Sequence, residues 1–203
     1  MKERSWLIYA LGGGWGHVNR SIALARTVAQ HFPVTILSNT PYLKFFQDSI
    51  AEGGLQIEID AIPASAGVET VQMEVERAFS ERTFTCLIVD TFPRGLAGEL
   101  VPFLEKQRKT PRILVHRDLN PNYVRSKRLQ SFVMEHFDRL LIPGEGDHGS
   151  DERSWETRLP LSDLPQAYHT APWLLRNFEE LPDRAAARSL LGLDNHCPQK
   201  VVL

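Results

Sequence analysis

Cysteine, long apolar runs and an excess of charge of one sign are all scarce in this chain of 203 residues. Of its two cysteines, Cys86 and Cys197, the first lies in the apolar run 86–89, which favours a buried, reduced thiol and a reducing compartment. No stretch approaches the roughly 18 apolar residues of a membrane span. The apolar run near the N-terminus, about six residues long, is too short for the core of a signal peptide. The sequence therefore predicts a cytoplasmic protein.

The overall charge is close to balanced, at −2 with a pI of about 6.4. This balance gives no bias towards nucleic acid, and we predict no nucleic-acid partner. The segment 106–128 is an exception, because it carries eight basic residues against one acidic residue, a surplus of +7. Such a surplus is most often a solvated helix face, although it also allows peripheral attachment to an anionic membrane.

Short apolar runs alternate with longer amphipathic segments over most of the chain. The predicted strands are 6–11, 34–37, 55–62, 86–89, 113–115 and 140–142, and the predicted helices are 18–32, 41–49, 69–82, 96–107 and 123–137. Because apolar strands alternating with helices form a sheet covered on both faces, we expect a doubly wound, mostly parallel, Rossmann-like α/β domain. Ligands of such domains bind beyond the carboxyl ends of the strands, so the residues after each strand are the candidates for a site.

The alternating pattern fades after Pro143. Residues 144–158 are predicted to form a loop, and a short helix is expected from Pro182 to a C-capping Gly192. The last residues, 200–203, are predicted to begin another strand. We therefore expect a first domain over residues 1–170, followed over 171–203 by a linker and the start of a second α/β domain.

Four glycines lie within the six residues 12–17, between the first predicted strand and the first predicted helix. Glycine lets the backbone approach a ligand closely, and the following helix directs its N-terminal amides at a phosphate or a developing anion. The loop is not a dinucleotide fingerprint, because His17 takes the place of the last glycine and the second strand lacks a following acid. It is not a P-loop, because no Gly-Lys-Ser/Thr follows. The candidate substrate-binding residues of this segment are Gly13, Gly14, Trp15, Gly16, Asn19 and Arg20.

His17 and Asp90 are the candidate catalytic residues. His17 lies at the mouth of the first helix, where an imidazole can act as a general base or donate to a phosphate. Asp90 directly follows the fourth strand, which places it at the same edge of a parallel sheet. A carboxylate hydrogen-bonded to the second nitrogen of the histidine would fix its tautomer and raise its basicity. A helix-capping role for either residue remains an alternative.

Three further candidates follow the fifth and sixth strands. His116 and Arg117 come after the fifth strand, and Glu145 comes shortly after the sixth. They could hold an acceptor or a phosphate, although a plain surface turn explains them equally well. We predict no metal centre and no cofactor.

The segment 12–26, G-G-G-W-G-H-V-N-R-S-I-A-L-A-R, resembles the glycine-rich loop and following helix of MurG-like and related bacterial glycosyltransferases. These enzymes have the GT-B fold, in which two Rossmann-like domains face each other across a cleft. Residues 171–176 are similar to the linker before the second domain, and 188–193 and 200–203 are similar to its first helix and strand. Only the loop and helix form a specific motif. It departs from the family at Asn19 and Arg20, where a proline is often found.

The resemblance implies that the chain is an N-terminal, acceptor-binding domain. The enzyme would transfer a sugar from a nucleotide sugar, most simply a UDP-sugar co-substrate, to an acceptor hydroxyl with inversion. By this resemblance His17 would be the base and Asp90 its partner. A donor-binding domain would follow in the same polypeptide or belong to a partner chain.

Two other functions stay open at this point. Residues 16–20, with Leu24 and Ala25, also resemble the nucleotide-sugar hydrolase of pseudaminic acid synthesis, in which the histidine would activate water. Alternatively, the chain could be the non-catalytic, acceptor-binding half of a split glycosyltransferase.

Overall fold

The structure is a computed structural model that describes residues 4–47, 50, 54–117, 119–144, 161, 164–176 and 178–193. Its strands are β1 Ser5–Tyr9, β2 Val34–Ser38, β3 Ile57–Ala61, β4 Phe84–Asp90, β5 Arg112–Val115, β6 Arg139–Pro143 and β7 Ala167–Thr170. Its α-helices are α1 Trp15–Val28, α2 Val68–Glu81, α3 Val101–Lys106, α4 Pro121–Ser126, α5 Leu129–His136 and α6 Arg184–Leu190. Short 3₁₀ helices span Leu43–Phe46 and Phe178–Glu180. The strands form one sheet in which all the pairs are parallel, which confirms the predicted doubly wound α/β fold.

The order of the strands creates a crevice at the centre of the sheet. The order is β3-β2-β1-β4-β5-β6-β7, so the chain moves outward from β1 to β3, crosses back, and continues outward from β4. The connections after β1 and β4 therefore diverge, and the crevice between them is where ligands bind in folds of this kind. The glycine-rich loop follows β1, and Asp90 ends β4, so both lie at this crevice.

The two faces of the sheet carry separate apolar clusters. Successive side chains of β1 alternate, so that Ile8 contributes to one cluster whereas Leu7 and Tyr9 contribute to the other. Helix α1 covers the first face with Val18 and Ile22, among other residues, as their spacing predicts. Helices α2 to α5 cover the second face. Burial on both faces explains why the strands are continuously apolar rather than alternating.

The predicted helix 96–107 is wrong in its first half, because only α3 is helical. Gly95 and Gly98 have φ angles of 83° and 88°, which interrupt helical geometry before α3 begins. The Glu99 carboxylate accepts hydrogen bonds from the Leu96 N–H (3.1 Å) and from the buried hydroxyl of Tyr9. Burial raises the pKa of Tyr9, and the charge of Glu99 raises it further. These contacts fix the segment after β4 as a turn.

The predicted helix 123–137 is two helices, α4 and α5. Arg128 separates them with a φ of 49°, a left-handed conformation that an α-helix does not contain. Four polar residues, 125–128, interrupt the apolar spacing between Val124 and Leu129, and the sequence analysis did not use this sign of a break. The predicted helix 41–49 also differs, because its described part contains the 3₁₀ helix Leu43–Phe46, whereas residues 48 and 49 lie outside the described residues.

The sequence analysis missed β7. Within the part of the chain that the structure describes, this strand is at the edge of the sheet and pairs only with β6, and Tyr168 within it is half exposed. A four-residue strand with a neighbouring strand on one side carries no long apolar run. The sequence of Ala167–Thr170 therefore resembles that of a loop.

The described residues after β7 pack against the first helix. Trp173 and Leu175 contact the apolar cluster of the α1 face. The Arg26 Nη2 atom donates to both carboxylate oxygens of Glu180, at 2.9 and 3.0 Å. Helix α6 is present where it was predicted, and Gly192 ends it with a φ of 68°. The predicted strand 200–203 lies outside the described residues.

Two predictions about burial and membranes can be compared directly with the structure. Cys86 is a buried free thiol, as predicted, and burial raises its pKa to about 12, so it is not a reactive nucleophile at neutral pH. Cys197 lies outside the described residues. Among the helices that the structure describes, none is both long enough and apolar enough to cross a bilayer.

Candidate active site

The glycine-rich loop is held by a side chain that follows β2. The Gly12 N–H donates to Asn39 Oδ1 at 2.9 Å, and Gly12 has a φ of 146°, which side-chain-bearing residues rarely adopt. A Cβ atom at this position would also lie 2.6 Å from the Cδ2 and Nε2 atoms of His17. Gly12 is therefore required both for its conformation and for the space that it leaves to the imidazole. Gly13, by contrast, is exposed, and a Cβ there would contact nothing within 4 Å.

His17 and Asp90 form a hydrogen-bonded pair over the crevice. His17 is on the first turn of α1, and its Nδ1 atom lies 2.5 Å from Oδ2 of Asp90. The Asp90 side chain is 2% exposed and the His17 side chain is 17% exposed. The structure thus joins the two candidate catalytic residues, one from the helix after β1 and one from the end of β4.

This contact determines which nitrogen of His17 can accept a proton. An ionised carboxylate only accepts hydrogen bonds, so a neutral His17 donates its Nδ1–H to Asp90 and leaves Nε2 unprotonated. Within the described part of the chain Nε2 has no hydrogen-bond partner, and it faces the space beside Gly12. Phe92 stacks on the imidazole with ring centroids 5.5 Å apart and an angle of 27°. The site therefore presents a proton-accepting nitrogen in a fixed orientation at the glycine loop.

Arg20 binds the same carboxylate from the next turn of α1. Its Nε atom donates to Asp90 Oδ1 at 3.1 Å, and its Nη2 atom donates to Asp90 Oδ2 at 3.0 Å. The sequence analysis proposed Arg20 as a substrate contact, whereas the structure engages its guanidinium with Asp90. This ion pair compensates a carboxylate whose burial would otherwise be costly. A Cβ on Gly16 would lie 3.0 Å from Arg20 Nη1, so Gly16 makes room for the guanidinium.

Thr91 completes the group around Asp90. Its hydroxyl donates to Asp90 Oδ2 at 3.3 Å and accepts from Arg20 Nη2 at 3.2 Å. Thr91 has a φ of 68°, a left-handed conformation that is strained for a β-branched residue. Backbone strain of this kind persists only where the surroundings enforce it, and it is concentrated at functional sites.

The remaining candidates of this segment that the structure describes are Trp15, Gly14 and Asn19. Trp15 lies on Tyr42 with ring centroids 4.4 Å apart, on the β2 side of the loop. Gly14 is the N-cap residue of α1 and offers no capping side chain to the helix amides. Asn19 is half buried on α1.

The two candidates after β5, His116 and Arg117, contact other groups than the His17–Asp90 pair. His116 is completely buried, and its Nε2 atom accepts the Leu161 N–H at 3.4 Å. Arg117 Nη1 donates to the carbonyl oxygen of Pro143 at 2.8 Å. Glu145 lies outside the described residues. The positions of His116 and Arg117 after a strand were predicted, and their side chains make hydrogen bonds with the backbone around them.

The basic segment 106–128 does not form one exposed face. Arg112, at the start of β5, is buried, and it donates to the carbonyl oxygens of Gln107 and His136. Burial lowers the pKa of Arg112. Arg117 lies beyond the opposite end of β5, so the eight charges are divided between the two edges of the sheet.

The structure adds three residues that the sequence analysis missed, namely Asn39, Thr91 and Phe92. Asn39 directly follows β2, and Thr91 and Phe92 directly follow β4. The rule that selected Asp90, namely position after a buried strand, also selects these residues. They were missed because amide, hydroxyl and phenyl groups do not signal acid–base chemistry.

Neither a known family model nor a curated protein matches this chain. Among the residues that the structure describes, no group of three or more histidine, cysteine, aspartate or glutamate side chains is arranged to hold a metal ion. The function must therefore be argued from the geometry of the site.

Proposed function

We propose that this chain is the acceptor-binding domain of a glycosyltransferase in which His17 deprotonates the acceptor hydroxyl. The hydrogen bond between His17 Nδ1 and Asp90 Oδ2 is the observation on which the proposal depends. It leaves Nε2 as a base beside a glycine loop, in the central crevice of a doubly wound sheet. The resemblance of residues 12–26 to GT-B enzymes supports the same function.

In the proposed reaction the acceptor proton moves to Nε2 of His17 as the acceptor oxygen attacks the anomeric carbon. The bond from that carbon to the diphosphate breaks, and the nucleotide leaves with the electron pair. Because the attacking oxygen and the leaving group lie on opposite faces of the sugar, the configuration inverts. Asp90 accepts the Nδ1–H bond throughout and stabilises the imidazolium that forms.

The ion pair between Arg20 and Asp90 determines the net charge of the site during this reaction. Together Arg20 and Asp90 carry no net charge, so the proton that His17 accepts gives the site a net positive charge. A positive site favours an anionic diphosphate, and the change in charge occurs during the chemical step.

The reaction also needs a unit that binds the nucleotide sugar, proposed to be a UDP-sugar. We propose that this unit is a second Rossmann-like domain, in the same polypeptide or on a partner chain. No further cofactor enters the proposed chemistry.

The test is a transfer assay on the protein purified by an affinity tag from its native cells, with any associated chain retained. Labelled UDP-glucose, UDP-galactose and UDP-N-acetylglucosamine are each incubated with and without a cell extract as the source of acceptors. We expect label to enter an acceptor, and His17→Ala to lower that rate by roughly 10²- to 10⁴-fold. The matched control is His31→Ala, because His31 is exposed and lies beyond the far end of α1.

Each other outcome selects one of the alternatives. Free sugar released at the full rate without acceptor, and dependent on His17, identifies a nucleotide-sugar hydrolase. Transfer that survives His17→Ala identifies an acceptor-binding half without the catalytic base. No His17-dependent reaction with any of the donors contradicts the proposal.

A further inference from the structure

Three aromatic side chains form an exposed surface beside the glycine loop. Trp15, which contacts both of the other rings, is 47% exposed, Phe45 is 60% exposed, and Tyr42 is half buried. Aromatic side chains contribute most to stability when they are buried, so a contiguous exposed group in a folded domain indicates a binding surface. We call Trp15, Tyr42 and Phe45 the aromatic platform.

The rings of the aromatic platform are ordered by contact with one another. Trp15 stacks on Tyr42 at a centroid distance of 4.4 Å and an angle of 18°, and it lies 5.3 Å from Phe45. Phe46 is buried below them, 5.5 Å from Trp15, and anchors the segment after β2 to the apolar cluster of the α1 face. Rings that are already ordered lose little conformational freedom when a ligand binds.

Polar groups border the aromatic platform on two sides. The Lys44 ammonium group lies 5.0 Å from the centroid of the Phe45 ring. On the other side, Gly13 and Gly14 expose their backbone, and His17 lies two residues beyond Trp15 on α1. An exposed aromatic ring with polar groups beside it matches a ligand that has one apolar face and hydroxyl groups around its edge, which describes a pyranose ring. An acyl chain would instead need a continuous apolar channel.

We propose that the aromatic platform binds a sugar ring of the acceptor, next to the unit that presents its hydroxyl to His17. This inference rests on the proposed function, and it specifies the class of acceptor. The acceptor carries at least two linked units, as in an oligosaccharide or a glycoside, because Trp15 and His17 point to opposite sides of the first turn of α1.

The test is an NMR titration of the ¹⁵N-labelled 203-residue chain, observed at the indole N–H signals of its tryptophans. The probes are disaccharides of glucose, galactose and N-acetylglucosamine, with the methyl glycosides of the single sugars for comparison. We expect the Trp15 signal to shift saturably, and at lower concentrations for a disaccharide than for a single sugar. Trp6 is the internal control, since it stacks on Phe32 at 5.5 Å and 12° at the opposite end of β1, and its signal should not move.

Substitutions at Trp15 make the test specific. Trp15→Ala should weaken saccharide binding by roughly three- to tenfold, whereas Trp15→Phe, which keeps an aromatic face, should retain most of it. A Trp15 signal that stays unmoved by every saccharide at tens of millimolar overturns the inference. So does a shift that phosphatidylglycerol vesicles produce and saccharides do not, because that result identifies a lipid surface as the occupant.

The two proposals fail in different ways. A saturable shift at Trp15, together with transfer that survives His17→Ala, supports saccharide binding at the aromatic platform and contradicts the role of His17 as the base. Transfer that depends on His17, together with a Trp15 signal that no saccharide moves, keeps the base and removes the aromatic platform.

Discussion

Two histidines follow buried strands at the same edge of the sheet, yet their surroundings differ. His17, beyond β1, is partly exposed, is bound to Asp90 through Nδ1, and has an unpartnered Nε2 atom among the described residues. His116, directly after β5, has no exposed surface, and its Nε2 atom accepts a backbone N–H from Leu161. Position at the carboxyl edge is therefore not sufficient for chemistry, because accessibility of the second nitrogen is also required.

The order of the strands explains the difference. The chain leaves β1 and β4 in opposite directions, so the residues beyond these strands border an open crevice. After β5 the chain continues to β6 on the same side of the crevice. Leu161 belongs to the apolar cluster that helices α2 to α5 cover, and it lies against His116. The β1–β4 region thus leaves its histidine accessible, whereas the β5–β6 region buries its histidine.

The largest expected effect is that substitution of His17 lowers activity, whereas substitution of His116 lowers stability. His17→Gln should lower sugar transfer by roughly 10²- to 10⁴-fold. It should change the free energy of unfolding little, because the glutamine amide can donate to Asp90 in place of the Nδ1–H group. His116→Gln should instead lower the free energy of unfolding by about 1–3 kcal/mol, since it disturbs a buried hydrogen bond. Transfer assays and urea denaturation of both variants measure this difference. Equal losses of stability in the two variants would contradict the comparison.

The next effect concerns the ion pair beneath His17. Asp90→Asn leaves the Arg20 guanidinium without its carboxylate, and we expect a loss of about 2–4 kcal/mol in the free energy of unfolding. Adding Arg20→Gln should recover part of that loss, because no uncompensated charge then remains. Urea denaturation of the single and double variants gives the coupling energy. Strictly additive losses would mean that the ion pair does not contribute to stability.

Two neighbouring glycines provide a matched pair of smaller changes. Gly12→Ala should destabilise the fold by about 1–3 kcal/mol and displace the imidazole, because its φ is 146° and the new Cβ would lie 2.6 Å from His17 Nε2. Gly13→Ala meets no atom within 4 Å and should change stability by less than about 0.5 kcal/mol. Thermal unfolding and the His17 NMR signals measure both effects. If the two variants behave alike, the loop does not constrain His17.

The smallest expected effect involves a third histidine, His136, which is buried like His116. Burial lowers the pKa of His136, and the charges of Arg112 and Arg108 act in the same direction against Glu135. The unfolded chain therefore binds a proton at His136 more readily than the folded chain does. Stability should fall as the pH drops below about 6.5, the ordinary value for histidine. In His136→Gln, urea denaturation should show a weaker loss of stability over that range, and an unchanged loss would assign it to other groups.

Much of the fold could be predicted because the spacing of apolar residues indicates which side chains are buried. The apolar face of α1 and the continuously apolar strands follow from which side chains meet the core. The break at Arg128 and the turn before α3 were missed because they depend on local backbone angles, which the apolar spacing does not specify. The edge strand β7 was missed because it is covered on one side only.

The site could be predicted in part, and for a similar reason. His17 and Asp90 were found because each comes at the end of a buried strand or beside a glycine loop. Arg20 was expected to face substrate, and its actual partner depends on which strand lies beside β1, which single-sequence patterns do not specify. The burial of His116 likewise depends on Leu161, 45 residues away along the chain.

The most direct test of the central claim is the protonation of the His17 ring in its neutral form, measured by long-range ¹H–¹⁵N NMR. The account predicts that Nδ1 carries the proton and Nε2 does not, and that Asp90→Asn abolishes this preference. It also predicts that His31, an exposed histidine with no carboxylate partner among the described residues, behaves as an ordinary mixture of tautomers. A His17 ring protonated at Nε2 would contradict the account, because the nitrogen that faces the glycine loop could then not accept a proton.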